Sequence, residues 1–440
     1  MSNTNLKIVR LSKADKIIQA EIHLNSSKSQ SNRALIIQAL SKNPIQLNNL
    51  SSAKDTQILL NILKEDAISN AKEKCYDVGG SGTAMRFLTA YFATKSGTRI
   101  LTGNQRMKQR PIKPLVGALL KLGASISFLE KDGFPPLKIT GKILHGNEVE
   151  IDGKLSSQYI SALLLISPQL YNGLVINFTG KITSRPYINM TMKMMEHFNV
   201  SSSWGENSIR ISNQQYTAEE DQPYSIEADW SSASYWYSLA ALAQHADIRL
   251  YGLNQKSLQG DSILKDLYVF LGIKTEFIEG GVRLTKIPQI TEALGFDYSD
   301  CPDIAQTVIV TAAGLSIPIL LNGLQTLKIK ETDRMSALCN ELKKLAVNVQ
   351  SGFSDSLEIK EYRQISASSS AKLPSPSHPV ETYDDHRMAM SFAPLALRYN
   401  SIDIVNPDVV TKSYPKFWSD LKSAGFNVEE LKPEMEHYLP

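Results

Sequence analysis

Metal ligands and disulfide pairs are scarce in this chain. Its 440 residues hold three cysteines, Cys75, Cys301 and Cys339, far apart and with no CxxC spacing. No His/Cys/Asp cluster has ligand intervals, so the sequence carries no metal signature and no cofactor is expected. Free cysteines fit a reducing compartment. No run of 18 apolar residues exists, so no membrane-spanning helix is expected. The opening MSNTNLKIVRLSKADK has no apolar core of a signal peptide, and a cytoplasmic location is the default expectation. An excess of one charge is also missing: 47 basic and 44 acidic residues leave a net charge of +3. Neither nucleic acid nor a membrane surface is indicated, and any basic site must be local. Nucleotide loops are absent too. Gly80-x-Gly82 lacks the full GxGxxG, and there is no GxxxxGK[ST].

What is present is a core and a repeat. Hydrophobic residues make up 42% and charged residues 21%, the balance of a globular protein of two or three domains. One kind of helix is apolar nearly all round: SNRALIIQAL, GTAMRFLTAYFA, SSQYISALLLIS, SSASYWYSLAALA, DIAQTVIVTAAGL and HRMAMSFAPLAL. A second kind follows a strand ending in a turn residue and is amphipathic, as in MSALCNELKKLA after ILLNG. That makes six copies of one strand–helix unit. A helix apolar on every face must be buried, and six cannot share one core at this length. Two lobes of three copies are expected: 25–227, and 1–24 with 228–440. The strand KIIQAEIHL (16–24) lies ahead of the first copy and is open to sharing with the second lobe. The chain is expected to cross between lobes near residues 25 and 228. The stretch 366–376, rich in Ser and Pro, reads as a surface loop.

Chemistry concentrates where helices begin. At the apolar helix starts stand Lys28-Ser29, Gly80-Ser81-Gly82, Ser156-Ser157-Gln158, Asp303 and His386-Arg387. At or just before the amphipathic starts stand Arg110, Ser184-Arg185-Tyr187, Lys330-Glu331-Arg334 and Lys412. Helix N-termini present unpaired N–H groups and a positive dipole end, and Lys or Arg beside them neutralises oxyanions. Taken singly, Ser156-Ser157 is a helix cap, Asp303 could be one, and His386 is structural. Their number at one kind of position points to a site for at least two anionic groups. The densest stretch is Lys328-Ile329-Lys330-Glu331-Thr332-Asp333-Arg334, whose bland alternative is a solvated helix start with internal ion pairs.

The stretches KSQSNRAL, GGSGTAMRFL, LTGNQRMKQRP, SSQY, SRPY, QGD, PDIAQT, KETDR, DDHRMAM and TKSYP occur in that order. With them the chain resembles the 5-enolpyruvylshikimate-3-phosphate synthases over nearly its whole length. The resemblance implies an α/β, two-domain enolpyruvyl transferase fold. Each domain would hold three βαβαββ repeats around buried helices, with the active site in the inter-domain cleft. It implies transfer of the enolpyruvyl group of phosphoenolpyruvate to the 5-hydroxyl of shikimate 3-phosphate, with release of phosphate. Shikimate 3-phosphate would meet Lys28, Ser29, Arg33, Ser156, Ser157, Gln158, Ser184, Tyr187, Asp303 and Lys330. Phosphoenolpyruvate would meet Lys28, Gly82, Arg110, Gln158, Arg334, Arg387 and Lys412, and glyphosate would occupy the same place. Gly80, Phe87 and Thr326 stand where other members carry different residues. A monomer acting on two small molecules, without nucleic acid, membrane or cofactor, is expected.

Two acid–base groups are needed on opposite sides of one carbon. Asp303 is the expected base for the hydroxyl. Glu331 and Lys330 are candidates for protonating the methylene, with Lys28 as electrostatic partner. A glutamate between Lys330 and Arg334 is expected to have a lowered pKa. Two alternatives stay open: an enolpyruvyl transferase acting on UDP-N-acetylglucosamine, and a non-catalytic anion-binding protein. The loop LTGNQRMKQRP lacks the cysteine common in the former.

Overall fold

The structure, a computed structural model, describes residues 7–68, 71–218, 222–351, 356–362 and 372–431. Of the expected surface loop, 366–371 lies outside the described residues, while Pro374 and Ser375 are exposed. The chain forms two compact units. A middle unit comprises Ser26–Glu227 and Leu258–Gly260. A terminal unit comprises Met1–Asn25, Ala228–Ser257 and Asp261–Pro440. The excursion Leu258–Gly260 adds two passages to those expected near residues 25 and 228. Gln259 accounts for it: its amide donates to the Glu227 carboxylate at 2.9 Å, and Gln30 donates to the same oxygen at 3.3 Å.

Each complete repeat runs strand, helix, strand, helix, strand, strand. In the middle unit, Glu73–Asp77 pairs parallel with Gly97–Thr102, which pairs antiparallel with Leu137–Gly141, which pairs with Ser125–Phe128. The sheet Glu148–Asp152, Leu174–Thr179, Ser208–Ile211, Ser202–Trp204 has the same order, as does Leu294–Asp297, Ile319–Asn322, Leu357–Tyr362, Val347–Ser351 in the terminal unit. A parallel pair needs a crossover, and the buried helix of each repeat supplies it.

Two repeats take their first strand from a distant part of the chain. Ile17–His23, ahead of the first copy, pairs parallel with His245–Tyr251 in the terminal unit. The place it leaves is filled by Tyr224–Ser225, which pairs parallel with Leu47–Asn48 in the middle unit. Ile17–His23 thus serves the fourth of the six repeats, the first of the terminal unit. Similarly, Ile8–Ser12 completes the last repeat between Ile402–Val405 and Asn427–Leu431.

The apolar helices are buried as their composition demands. Trp230–Leu242 is buried at every residue, and Ala305–Leu315 at all but its last. Trp230–Leu242 and His386–Phe392 both pack on Ala305–Leu315. In the middle unit Gly82–Thr94, Ser157–Ile166 and Lys28–Leu40 pack together. Small residues let these helices approach: a Cβ on Gly314 would lie 2.6 Å from a Leu242 methyl. Hydroxyls inside the seams are satisfied locally. Thr311 donates to the Thr307 carbonyl at 2.7 Å, and Ser234 to the Ser231 carbonyl at 2.6 Å. The last apolar segment differs from its expected single helix. It is α-helical over His386–Phe392 and tightens to a 3-10 turn over Ala393–Leu397. Pro394 has no N–H to continue the α ladder.

Candidate active site

In the terminal unit the expected residues converge on Asp303. It lies two residues before the buried helix Ala305–Leu315, whose N-cap is Ile304. Its Oδ1 is 3.2 Å from Lys330 Nζ and 3.4 Å from Arg334 Nη1; its Oδ2 is 3.0 Å from Arg387 Nη2. Burial acts to raise this carboxyl's pKa. Arg387, Lys330 and Arg334 together outweigh it and hold the group well below the usual carboxylate range.

Arg334 is the hub. It opens the amphipathic helix Arg334–Lys344, whose cap is Asp333, accepting from the N–H groups of Met335 and Ser336. Its Nε donates to Asp385 Oδ2 at 2.7 Å, and its Nη2 to Glu331 Oε2 at 2.8 Å. Burial opposes its charge, but Asp385 and Glu331 more than compensate, and its pKa is raised. Glu331 also pairs with Lys412 at 3.1 Å. Asp385 caps the helix His386–Phe392, accepting from Arg387 N at 2.8 Å. The Arg387 guanidinium reaches Ser231 Oγ at 3.4 Å and the Tyr235 hydroxyl at 3.5 Å. Ser231 in turn donates to Asp261, a buried carboxyl raised to about 6 by burial and by the nearby Asp303 charge. All six terminal-unit candidates, Asp303, Lys330, Glu331, Arg334, Arg387 and Lys412, therefore belong to one ion-pair network.

In the middle unit two groups of candidates form, and Lys28 is placed by its own ion pair. The first surrounds Arg33, whose guanidinium donates to Thr191 Oγ1 at 2.7 Å, Ser161 Oγ at 2.9 Å, and the carbonyls of Ser29 at 3.0 Å and Tyr187 at 3.3 Å. These partners are all neutral, and the guanidinium lies 5.5 Å from the Phe87 ring centroid. Burial without a carboxylate lowers its pKa to about 10, so it stays charged at neutral pH. Tyr187 reaches it because Ser184 turns the chain through a left-handed conformation, φ 55°, into the helix Arg185–His197.

The second group surrounds Gly82, the first residue of the helix Gly82–Thr94, capped by Ser81. A Cβ on Gly82 would fall 2.7 Å from Arg110 Nη1 and 2.9 Å from Arg86 Nη1. The glycine is thus needed to seat the Arg110 guanidinium over the helix start. Gln158 donates from Nε2 to Thr83 Oγ1 at 3.2 Å, beside Gly82. Ser156 caps the helix that begins at Ser157, accepting from Gln158 N at 3.4 Å. Lys28 stands in the first turn of the helix Lys28–Leu40 and pairs with Asp55 at 3.1 Å.

Several contributing residues carry weak sequence signals. Asp385 and Asp261 stand in the quoted DDHRMAM and QGD stretches, yet only the fold shows them facing Arg334 and Ser231. Ser161, Thr191 and Tyr235 lie inside helices, where nothing marks them. Among the described residues no group of His, Cys, Asp and Glu could hold a metal ion.

The architecture is that of the enolpyruvyl transferases. It matches the EPSP synthase of Acinetobacter baumannii with a TM-score of 0.76 at 19% identity, over 96% of this chain and 100% of that one. It matches the enolpyruvyl transferase NikO of Streptomyces tendae with a TM-score of 0.73 at 12% identity, over 98% and 100%. Within that class the sequence decides. The chain belongs to the EPSP synthase (3-phosphoshikimate 1-carboxyvinyltransferase) family, whose model matches residues 13–74 and 65–421. A 3-phosphoshikimate 1-carboxyvinyltransferase of Bacteroides fragilis is 47% identical over 413 residues, covering 94% of this chain and 97% of that protein. One from a Sulfurovum species is 36% identical over 446 residues, covering 96% and 99%. No described helix is long and apolar enough to cross a membrane.

Proposed function

We propose that this protein transfers the enolpyruvyl group of phosphoenolpyruvate to the 5-hydroxyl of shikimate 3-phosphate and releases phosphate. It thereby serves aromatic amino-acid biosynthesis, in the cytoplasm and as a monomer. The observation that carries this beyond family membership is the Asp303 carboxylate, within 3.4 Å of Lys330, Arg334 and Arg387. It offers a base among cations that anionic substrates can claim.

Protonation of the phosphoenolpyruvate methylene leaves a cation at C2. The acceptor hydroxyl adds to that carbon and gives up its proton. Phosphate then leaves, and loss of a methyl proton forms the enol ether. Asp303 takes the hydroxyl proton; Glu331 or Lys330 delivers the methylene proton, with Lys28 as electrostatic partner. Arg334, Arg387 and Lys412 offer charge to phosphoenolpyruvate, as does Arg110 of the middle unit, while Gly82 offers backbone and Gln158 a neutral amide donor. Ser29, Arg33, Ser156, Ser157, Ser184 and Tyr187 offer donors to shikimate 3-phosphate. Arg33 suits a phosphate, being charged and having only neutral hydrogen-bond partners among the described residues. Each step is proton transfer, addition or elimination, so no cofactor is called for.

The test is phosphate release from phosphoenolpyruvate, measured separately with shikimate 3-phosphate and with UDP-N-acetylglucosamine. Turnover with the sugar nucleotide alone would overturn the substrate assignment. Binding of both substrates without turnover would leave an anion-binding protein.

A further inference from the structure

The segment that delivers Asp385 and Arg387 is conformationally expensive. It leaves the sheet at Val380, which bridges Ile404, and turns over Thr382–Asp385, closed by Asp385 N donating to the Thr382 carbonyl at 2.8 Å. Both central residues are left-handed: Tyr383 at φ 52° and Asp384 at φ 56°. Two such residues in a row is a demand that Gly and Asn ordinarily meet, and a tyrosine there is an outlier. Surrounding contacts must hold it. Glu341, on the helix that Arg334 opens, has a side chain with no solvent exposure. Its Oε2 accepts from Glu381 N at 3.1 Å, and its Oε1 from the Tyr383 hydroxyl at 2.7 Å. Lys344 balances its charge at 2.8 Å. On the far side, Asn406 Nδ2 donates to Asp384 Oδ1 at 2.8 Å. One helix thus grips the turn twice: Arg334 on Asp385 and, two helical turns on, Glu341 on Glu381 and Tyr383.

We propose that Glu341 is a positioning residue that clamps the left-handed turn Thr382–Asp385 and so fixes where Arg387 presents its charge. Among the described residues Glu341 bonds to Glu381, Tyr383 and Lys344, none of them in the Asp303 network, and so acts through the turn. Burial, and the hydrogen bond to Glu341, push the Tyr383 phenol up to about 12, so it remains a donor throughout the working range. Without the clamp the turn relaxes toward right-handed backbone, and Asp385 and Arg387 move with it. The consequence for turnover rests on the assignment of Arg387 to phosphoenolpyruvate.

Steady-state kinetics on Glu341→Ala, Glu341→Gln, Tyr383→Phe and Lys344→Met test this. Glu341→Ala is expected to raise KM for phosphoenolpyruvate about tenfold, the scale of lost hydrogen bonds to a charged group, with kcat changed less. Tyr383→Phe gives a smaller rise. Glu341→Gln, which keeps one acceptor oxygen for the phenol, recovers part of the loss, and Lys344→Met, which takes the cation from a side chain with no solvent exposure and frees the Pro379 carbonyl, raises KM less than Glu341→Ala. A folded Glu341→Ala with unchanged KM overturns the proposal; if that variant does not fold, an unchanged KM in Tyr383→Phe does so. Amide hydrogen exchange across 382–388 separates the clamp from the reaction: faster exchange in Glu341→Ala or Tyr383→Phe is expected. Should the wild type release no phosphate, the functional reading fails alone, and unchanged exchange in these variants overturns the clamp.

Discussion

Arg334 and Asp385 stand 51 residues apart in sequence, yet Nε and Oδ2 lie 2.7 Å apart, with the two side chains 1% and 0% exposed. The pair joins the starts of two helices, Arg334–Lys344 and His386–Phe392, and so fixes the two arginines relative to Asp303. A buried pair contributes little net stability compared with apolar packing, but removing one partner strands the other charge.

Asp385→Asn is therefore expected to destabilise the protein by about 3–5 kcal/mol, the cost of breaking a buried pair. Glu331 and Asp303 keep part of the Arg334 charge compensated, which places the loss at the low end. Urea denaturation of both proteins measures it. An unchanged midpoint would mean that Arg334 needs no partner at this position.

Arg33 leads to the opposite expectation. It is a buried cation whose partners are neutral, and those partners do not need it. Ser161 and Thr191 share a hydrogen bond of 2.9 Å, and Thr191 also donates to the Tyr187 carbonyl at 2.9 Å. Arg33→Met is expected to leave the thermal midpoint unchanged or raise it, since the desolvated charge is gone. Affinity for shikimate 3-phosphate is expected to fall at least about tenfold, the scale for one charge-assisted contact. Calorimetric titration beside a melting curve tests both halves. A large drop in midpoint would show that Arg33 is structural.

Gly82→Ala places a methyl group where Arg110 and Arg86 now lie, at 2.7 Å and 2.9 Å from their nitrogens. The obstacles are ends of flexible side chains, so the fold survives and Arg110 moves. KM for phosphoenolpyruvate is expected to rise, with kcat less affected. Glyphosate, bulkier in the same place, is expected to lose more affinity than the substrate. Equal loss for both ligands in inhibition kinetics would contradict that placement.

What the sequence made legible follows from locality. Helix starts carry their signals within four residues: Ser81 before Gly82, Asp333 before Arg334, Asp385 before His386. Burial of whole helices was legible because composition on every face leaves no alternative. Partner choice is different, since it is settled by the tertiary arrangement. Nothing near Arg33 names Ser161 or Thr191, and nothing near Glu341 names Tyr383. That the strand at 16–24 could serve the second lobe was legible, and Ile17–His23 does pair there; the strand that takes its place was not. Tyr224–Ser225 is two residues long and has no periodicity to read.

Asp261 gives a pH-dependent prediction. Its carboxyl has an ordinary pKa of 3.8 when unfolded and about 6 when folded, chiefly through burial. Between these values the folded state holds more protons than the unfolded state, so stability falls as pH rises from about 4 to 6. Below that window the group is neutral in both states and costs nothing. Asp261→Asn removes the penalty. The variant is expected to be more stable than wild type at pH 7, with the difference fading toward pH 4. Denaturant midpoints across this range measure it. A difference independent of pH would place the effect in the lost Ser231 contact instead.

Asp303 carries the last prediction, because its surroundings set a puzzle for a base. Arg387, Lys330 and Arg334 hold its carboxyl well below the usual range against the opposing effect of burial, which makes it a weak proton acceptor in the empty site. Substrate anions change that balance. A carboxylate or phosphate that takes the guanidinium of Arg387 or the ammonium of Lys330 shares the charge that now holds Asp303, and the basicity of Asp303 rises as the complex forms. The base is thus strengthened by the reactants themselves. Asp303→Asn keeps the shape but cannot take a proton. It is expected to lower kcat by about 10²-fold or more, the scale of a lost general base, while shikimate 3-phosphate still binds. Wild-type kcat/KM, which reports the free enzyme, is expected to show no acid limb from Asp303 above about pH 4, where free carboxylates titrate. Near-normal turnover in Asp303→Asn, measured by phosphate release under saturating substrates, would remove Asp303 from the base role and leave Glu331 as the remaining carboxylate in contact with both Arg334 and Lys412.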